Sequence, residues 1–234
     1  MHPSRLTTIV LICGGVLAAA AIAVLCWPDL PSPDHPDLSQ ARAAIARKDY
    51  DAVVGLVRGQ PAPQAKMYVQ CLGQELGAGA EPVLTRLLDR RVEKRPDVRA
   101  WSASALNATI APEQPKDPTA GSVKALVTAM REDPAPAVRA SAATTLGYVR
   151  AYETMNDLVA SLEDQQESVR RATCRAIEKI TCIRLNYRSN APESERAAQI
   201  AKIKAWWAHP DTQNAVSGYY RGGRFKAIQK KYSR

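Results

Sequence analysis

The sequence predicts an all-α protein, a stack of helix pairs preceded by a single N-terminal transmembrane helix. Three observations predict it. The apolar fraction, 46% of 234 residues, is mostly Ala, Leu and Val, with one Phe. A Val-Arg pair opens a helix-like stretch rich in small residues at "PDVRAWSASALNA", "PAVRASAATTLG" and "ESVRRATCRAIEK". An uncharged run fills residues 6–27. Small aliphatic side chains suit closely packed helices, whereas a β-sandwich draws on more β-branched and aromatic residues.

The N-terminal run, "LTTIVLICGGVLAAAAIAVLCW", spans about 33 Å as a helix, enough for a hydrocarbon core of roughly 30 Å. Arg5 precedes it. Asp29, Asp34 and Asp37 follow it, with no Lys or Arg before Arg42. The positive-inside rule then puts residues 1–5 in the cytoplasm and the repeat domain on the non-cytoplasmic side of a single-pass membrane protein. Cleavage as a signal sequence is the alternative, since Ala21 and Ala23 offer A-x-A sites. Residues 28–37 hold Pro28, Pro31, Pro33 and Pro36. Proline fixes φ and removes a donor, so this stretch is an extended spacer.

From residue 38 to 212 the pattern is helical. "LSQARAAIARKDYDAVVGLVRGQP" reads as a helix pair. "PQAKMYVQCLGQELGAGAEPVLTRLLDRR" reads as an atypical pair with a Leu-Gly step and no Val-Arg. The three recurrent copies align on Val98, Val138 and Val169, each followed by arginine: Arg99, Arg139 and Arg170. Five residues before each valine stands an acid: Glu93, Asp133 and Asp164. Apolar or small residues at the valine and at the fifth and eighth positions beyond it trace one helix face. "SVKALVTAMRED" and "MNDLVASLED" supply alternating second helices. "SERAAQIAKIKAWWAHP" adds a last helix that ends near Pro210.

The recurrent pair has a physical rationale. Each arginine lies early in a helix, where the macrodipole disfavours a cation, so it needs an acceptor. The acid at the preceding turn is expected to supply one, with backbone carbonyls engaging the same guanidinium. Partly buried, such a pair costs about 3 kcal/mol to break. Exposed, it contributes about 0–1 kcal/mol.

The pattern D-x-x-x-x-V-R, followed by small residues and a Leu or Ile and paired with an L-x-x-x-[LM] helix, resembles the HEAT repeat family in its short bacterial form. The Leu146-Gly147 step adds to the likeness, and Glu93 with Arg99 is a conservative departure. The first helix pair resembles half of a tetratricopeptide unit. The resemblance implies a right-handed α-α superhelix, a HEAT-like α-solenoid. It also implies a ladder of Glu93, Arg99, Asp133, Arg139, Asp164 and Arg170 through it.

The formal charge is +9. Residues 213–234 contain no acid and carry Arg221, Arg224, Lys226, Lys230, Lys231 and Arg234, interleaved with Tyr219, Tyr220, Phe225 and Tyr232. Such a tail is either solvated or holds anionic lipid headgroups, an acidic protein or single-stranded nucleic acid. Nucleic acid is not expected beside an exported domain. No G-x-S-x-G, phosphate loop, H-E-x-x-H or Cys/His zinc spacing occurs. The expectation is a non-catalytic, membrane-anchored scaffold that binds another protein, with no catalytic residues, metal or cofactor. Lipid or nucleic-acid binding by the tail is the alternative.

Overall fold

The computed structural model describes residues 36–110, 119 and 121–222. The chain divides into two units, residues 1–35 and 36–234. The first lies outside the described residues, and with it the segment 6–27 and most of the spacer. Among the described residues no helix is long and apolar enough to cross a membrane. The longest, of 16 residues at Glu193–Ala208, spans only about 24 Å and is charged along its length. On that finding, the expectations of a single-pass membrane protein, of membrane attachment and of a non-cytoplasmic repeat domain are withdrawn.

The described part of the second unit is helical, with no strand among the described residues. The helices are α1 (Ser39–Ala46), α2 (Tyr50–Gly59), α3 (Ala62–Leu76), α4 (Glu81–Leu88), α5 (Pro96–Ala105) and α6 (Gly121–Glu132). They continue as α7 (Pro136–Tyr148), α8 (Met155–Ser161), α9 (Glu167–Thr181), α10 (Glu193–Ala208) and α11 (Pro210–Gly222). Two layers form. In the first, α3, α5, α7 and α9 stack in chain order. In the second, α2, α4, α6, α8 and α10 do the same. The core lies between the layers. Val98, Val138 and Val169 are fully buried there with Leu106, Leu146 and Ile177, so the aligned apolar positions point inward as their spacing requires.

Small residues set how closely the first-layer helices approach. A Cβ at Gly147 of α7 would lie 2.6 Å from the Ala176 Cα of α9, and one at Gly73 of α3 would lie 2.8 Å from the Ala105 carbonyl oxygen of α5. Both are the Leu-Gly steps of the sequence. The remaining seam, α5 to α7, is tied instead by the Thr145 hydroxyl, which donates to the Ala103 carbonyl at 2.8 Å.

Helix starts follow from local chemistry. Pro96 and Pro136 stand at the first position of α5 and α7, where no backbone donor is required. The residues before α5, α7 and α9 are Arg95, Ala135 and Gln166, and none makes a side-chain cap bond. Each donates its own N–H to the acid two positions earlier: Arg95 to Glu93 at 2.8 Å, Ala135 to Asp133 at 2.9 Å and Gln166 to Asp164 at 2.8 Å. A carboxylate beside a helix N-terminus also complements the macrodipole.

The end of the stack differs from the sequence reading. α10 ends at Ala208, close to Pro210 as the sequence predicts, but Pro210 opens a further helix, and residue 213, where the sequence reading starts the tail, lies inside α11. Proline disrupts a helix interior but is well placed in its first turn. Tyr220 of α11 stacks on Tyr152 with centroids 4.8 Å apart, and its hydroxyl donates to the Ile180 carbonyl at 2.7 Å. Burial pushes the Tyr220 phenol up to about 12.

Candidate functional site: a charge ladder and the faces around it

The ladder residues come together at the turns joining the second layer to the first. The Arg99 Nε and Nη2 donate to the two Asp133 carboxylate oxygens at 2.8 and 2.9 Å. Its Nη1 donates to the carbonyls of Glu93 at 3.1 Å and Lys94 at 2.9 Å. Arg139 repeats the arrangement one copy later, with Asp164 at 2.8 and 3.0 Å and the Asp133 carbonyl at 2.8 Å. The same-copy acid therefore supplies its carbonyl, and the carboxylate comes from the following copy. This differs from the expected same-copy pairing. The carboxylate of each acid is turned toward its own next helix to receive the N–H of the residue just before it, while the early-helix guanidinium reaches back to the turn carbonyls and across to the neighbour.

Both ends of the ladder are improvised. Ala65 stands in α3 where alignment of the Leu-Gly steps would put an arginine, so Glu93 has no upstream partner of that kind. Arg95 fills the place. It donates to the Glu93 carboxylate at 3.0 and 2.7 Å and to the Gln60 carbonyl at 2.7 Å. Burial pushes the Glu93 carboxyl up, but the hydrogen bonds and charge of Arg95 outweigh this and hold it below the usual carboxylate range. At the far end, Arg170 donates twice to the Ser189 carbonyl, at 3.0 and 2.7 Å, and once each to the carbonyls of Asp164 and Gln165, both at 2.8 Å. Among the described residues Arg170 forms no ion pair, although it is only 6% exposed.

Burial separates the rungs. The Arg99 and Asp133 side chains are 4% and 3% exposed, and those of Arg139 and Asp164 are 14% and 13%. A parallel set of exposed ion pairs joins second-layer helices: Arg86 with Asp51, Arg131 with Asp157 at 3.0 Å and Lys204 with Glu163 at 2.8 Å. Exposed pairs of this kind contribute roughly 0–1 kcal/mol each.

The tail cations cannot be placed in this way. Arg221 falls in α11, but its side chain is outside the described set, as are Arg224, Lys226, Lys230, Lys231 and Arg234. Of the aromatics expected to interleave with them, Tyr220 is committed to Tyr152, and Tyr219 packs edge-on against Tyr220 with centroids 4.8 Å apart.

Two concavities flank the ladder. One, of about 490 Å³, lies between α4 and α6 and mixes Arg90, Arg91 and Lys124 with Asp89 and Glu132. The other, of about 200 Å³, lies between α9 and residues 184–189. It is lined by Arg171, Arg175, Arg184, Glu178, Cys174 and Asn186, with Tyr187 and Ser189. Burial pushes the Cys174 thiol up to about 12. On the outer face of the first layer, Trp101 of α5 and Tyr148 of α7 are 40% and 49% exposed. Arg95, Trp101, Tyr148 and the α9 arginines were not singled out from the sequence, apart from the recurrent Arg170. Arg95 had one legible signal: it precedes a helix-opening proline in the copy whose upstream helix lacks an arginine.

A family model of HEAT repeats matches residues 123–215, a stretch running from α6 into α11 that includes two of the three Val-Arg helices. This stretch is similar to HEAT repeats and lies in the two stacked helical layers. No curated protein matches the chain. A solved structure, the complex of CpcE and CpcF of phycocyanin lyase from Nostoc sp. PCC7120, is similar at 20% identity and a TM-score of 0.46, over 75% of this chain and 96% of that one. That structure is described as one of a phycocyanin lyase, and the expectation of a chain without catalysis of its own is withdrawn.

Proposed function

We propose that this chain is a helical-repeat scaffold that binds another protein. In this reading residues 38–212 wind as a right-handed α-α superhelix, and the outer face of the first layer is the contact surface. The observation that carries the reading is the exposure of Trp101 and Tyr148 on that face. They are the large apolar side chains left exposed among the described residues. Around them the outer positions of α5 and α7 are small: Ser104, Ala137, Ala140, Ser141 and Thr144. Aromatic anchors on a low surface of small side chains, carried by a fixed scaffold, are a frequent basis of protein recognition.

The test is site-specific photo-crosslinking of the full chain in its native host. A crosslinker at position 101 is expected to give one discrete adduct, and one at position 90, on the second layer, none. The double variant W101A/Y148A is expected to lose co-fractionation with that partner while melting as the parent does. Absence of an adduct from position 101, or an equal yield of the same adduct from position 90, overturns the reading.

A further inference from the structure

The last rung of the ladder is short of one negative charge. Arg99 and Arg139 each face a carboxylate supplied by the following copy. Arg170, built into the same turn and donating to the equivalent carbonyls, faces the Ser189 carbonyl instead. A guanidinium this deeply buried, met by carbonyls and by the Tyr187 side chain but by no carboxylate among the described residues, lies in surroundings that raise the cost of an unneutralised ion. Ser189 also lines the 200 Å³ pocket. Three more arginines line that pocket: Arg171, Arg175 and Arg184.

Among the described residues little offsets them. Glu178 is the carboxylate that lines the pocket, and it already accepts the Leu185 N–H at 2.9 Å. Arg171 is 3.8 Å from Glu167, at the outer limit of an ion pair and exposed. Among the described residues Arg175 and Arg184 form no ion pair.

The position of the pocket fits this charge. Along α7, the small residues Ala140, Ala143, Thr144 and Gly147 occupy the second, fifth, sixth and ninth places after the aligned valine. Gly147 makes the close contact with α9. The same places on α9 hold Arg171, Cys174, Arg175 and Glu178. The seam that receives the next helix elsewhere is polar and cationic here, and the segment 183–189 covers it only in part. A polar face at the end of a stack serves solubility in general. Solubility alone does not require three arginines lining one recess beside a buried fourth.

We propose that this pocket receives a carboxylate side chain from an acidic segment of the bound protein, held by Arg171, Arg175 and Arg184 beside the Ser189 carbonyl that stands where the earlier rungs have an aspartate. The proposal rests on the scaffold reading and adds the chemistry of the partner. Its recess, of about 200 Å³, accommodates a single Asp or Glu side chain, and the planar guanidinium groups offer paired donors to it.

The test is binding of a fluorescent decapeptide of alternating Glu and Gly to the full chain, read by anisotropy. A Gln-Gly peptide of the same length and inorganic phosphate are run beside it. The Glu peptide is expected to bind in a salt-sensitive manner and the Gln peptide not to bind. The double variant R175Q/R184Q is expected to weaken the Glu peptide by about tenfold or more, the loss of one or two charge-assisted hydrogen bonds. It is expected to melt as the parent does, because both arginines lie outside the ladder. R90Q/R91Q, on the opposite layer, is expected to change affinity by less than about twofold, as for exposed charges remote from the site. Failure of the Glu peptide to bind, an unchanged affinity in R175Q/R184Q, or an equal loss in R90Q/R91Q overturns the proposal. Arginine-dependent binding of phosphate without binding of the Glu peptide also overturns it, in favour of a small free oxyanion. If the peptide fails while the adduct from position 101 persists, this inference falls and the scaffold reading stands. The reverse outcome sinks the first-layer face as the contact surface and leaves the pocket as the place where the partner is held.

Discussion

Replacing Asp133 with Ala tests the ladder most directly. The substitution removes two charge-assisted hydrogen bonds from Arg99, at 2.8 and 2.9 Å, and the acceptor for the Ala135 N–H that opens α7. It leaves the Arg99 guanidinium, 4% exposed, with carbonyl partners alone. Breaking a buried pair by removing one partner costs about 3–5 kcal/mol, and losing the helix-start acceptor adds on the order of 1 kcal/mol. The expected loss is therefore about 4–6 kcal/mol, a large share of the stability of an ordinary domain. Equilibrium urea unfolding of the full chain, followed by far-UV circular dichroism, measures it. The comparison is Asp157→Ala, which breaks the exposed pair with Arg131 and is expected to cost less than about 1 kcal/mol. A double replacement, Arg99→Met with Asp133→Leu, is expected to recover most of the loss, because apolar residues of similar volume remove the unpaired charge. If Asp133→Ala costs no more than Asp157→Ala, the rung contributes little to stability and the reasoning from burial fails.

Three further outcomes are expected. Gly147→Ala puts a methyl 2.6 Å from the Ala176 Cα and is expected to destabilise by about 2 kcal/mol through overpacking, whereas Gly55→Ala, with open space around it, is expected to stabilise by roughly 0.5–1 kcal/mol; thermal melts of both variants read the opposite signs. Glu93 titrates below its ordinary 4.5 in the folded chain, so its contribution is complete above that value and is lost as pH falls through the lower folded one; melts between about pH 3 and 6 are expected to show Glu93→Gln flattening this acid limb. Iodoacetamide at neutral pH is expected to alkylate exposed Cys182 well before buried Cys174, whose thiol is pushed up to about 12, as peptide mass mapping would show.

The ladder residues were legible because they recur in register, and a recurrence of charge beside a buried valine has few other physical causes. Their connectivity was not. Spacing within a copy brings Glu93 and Arg99 to notice, but it carries no information on which neighbouring copy supplies a carboxylate. That choice is made by the turn, where the acid must also serve the N–H of Arg95, Ala135 or Gln166. Helix positions in the repeat followed from the alternation of small and large apolar residues. The packing of α11 did not, because Tyr152 and Tyr220 are far apart in sequence and belong to no period. Trp101 was equally hidden: an aromatic in an alanine-rich helix reads as core until the neighbouring helix shows which side it lies on. The cationic seam on α9 becomes visible only once α7 shows what the same positions do when another helix follows.

Arg99 and Arg139 each take carbonyl acceptors from their own copy and a carboxylate from the following one, so the joint is the same at both places where two of these copies meet. Excising residues 134–164, one full 31-residue period between Val138 and Val169, would join Asp133 directly to Gln165 at the start of the α9 turn. Arg99 would still find Asp133 ahead of it, and Arg170 would still find two turn carbonyls behind it. An array jointed in this way can lengthen or shorten by whole modules over evolutionary time without a new fastening having to be invented.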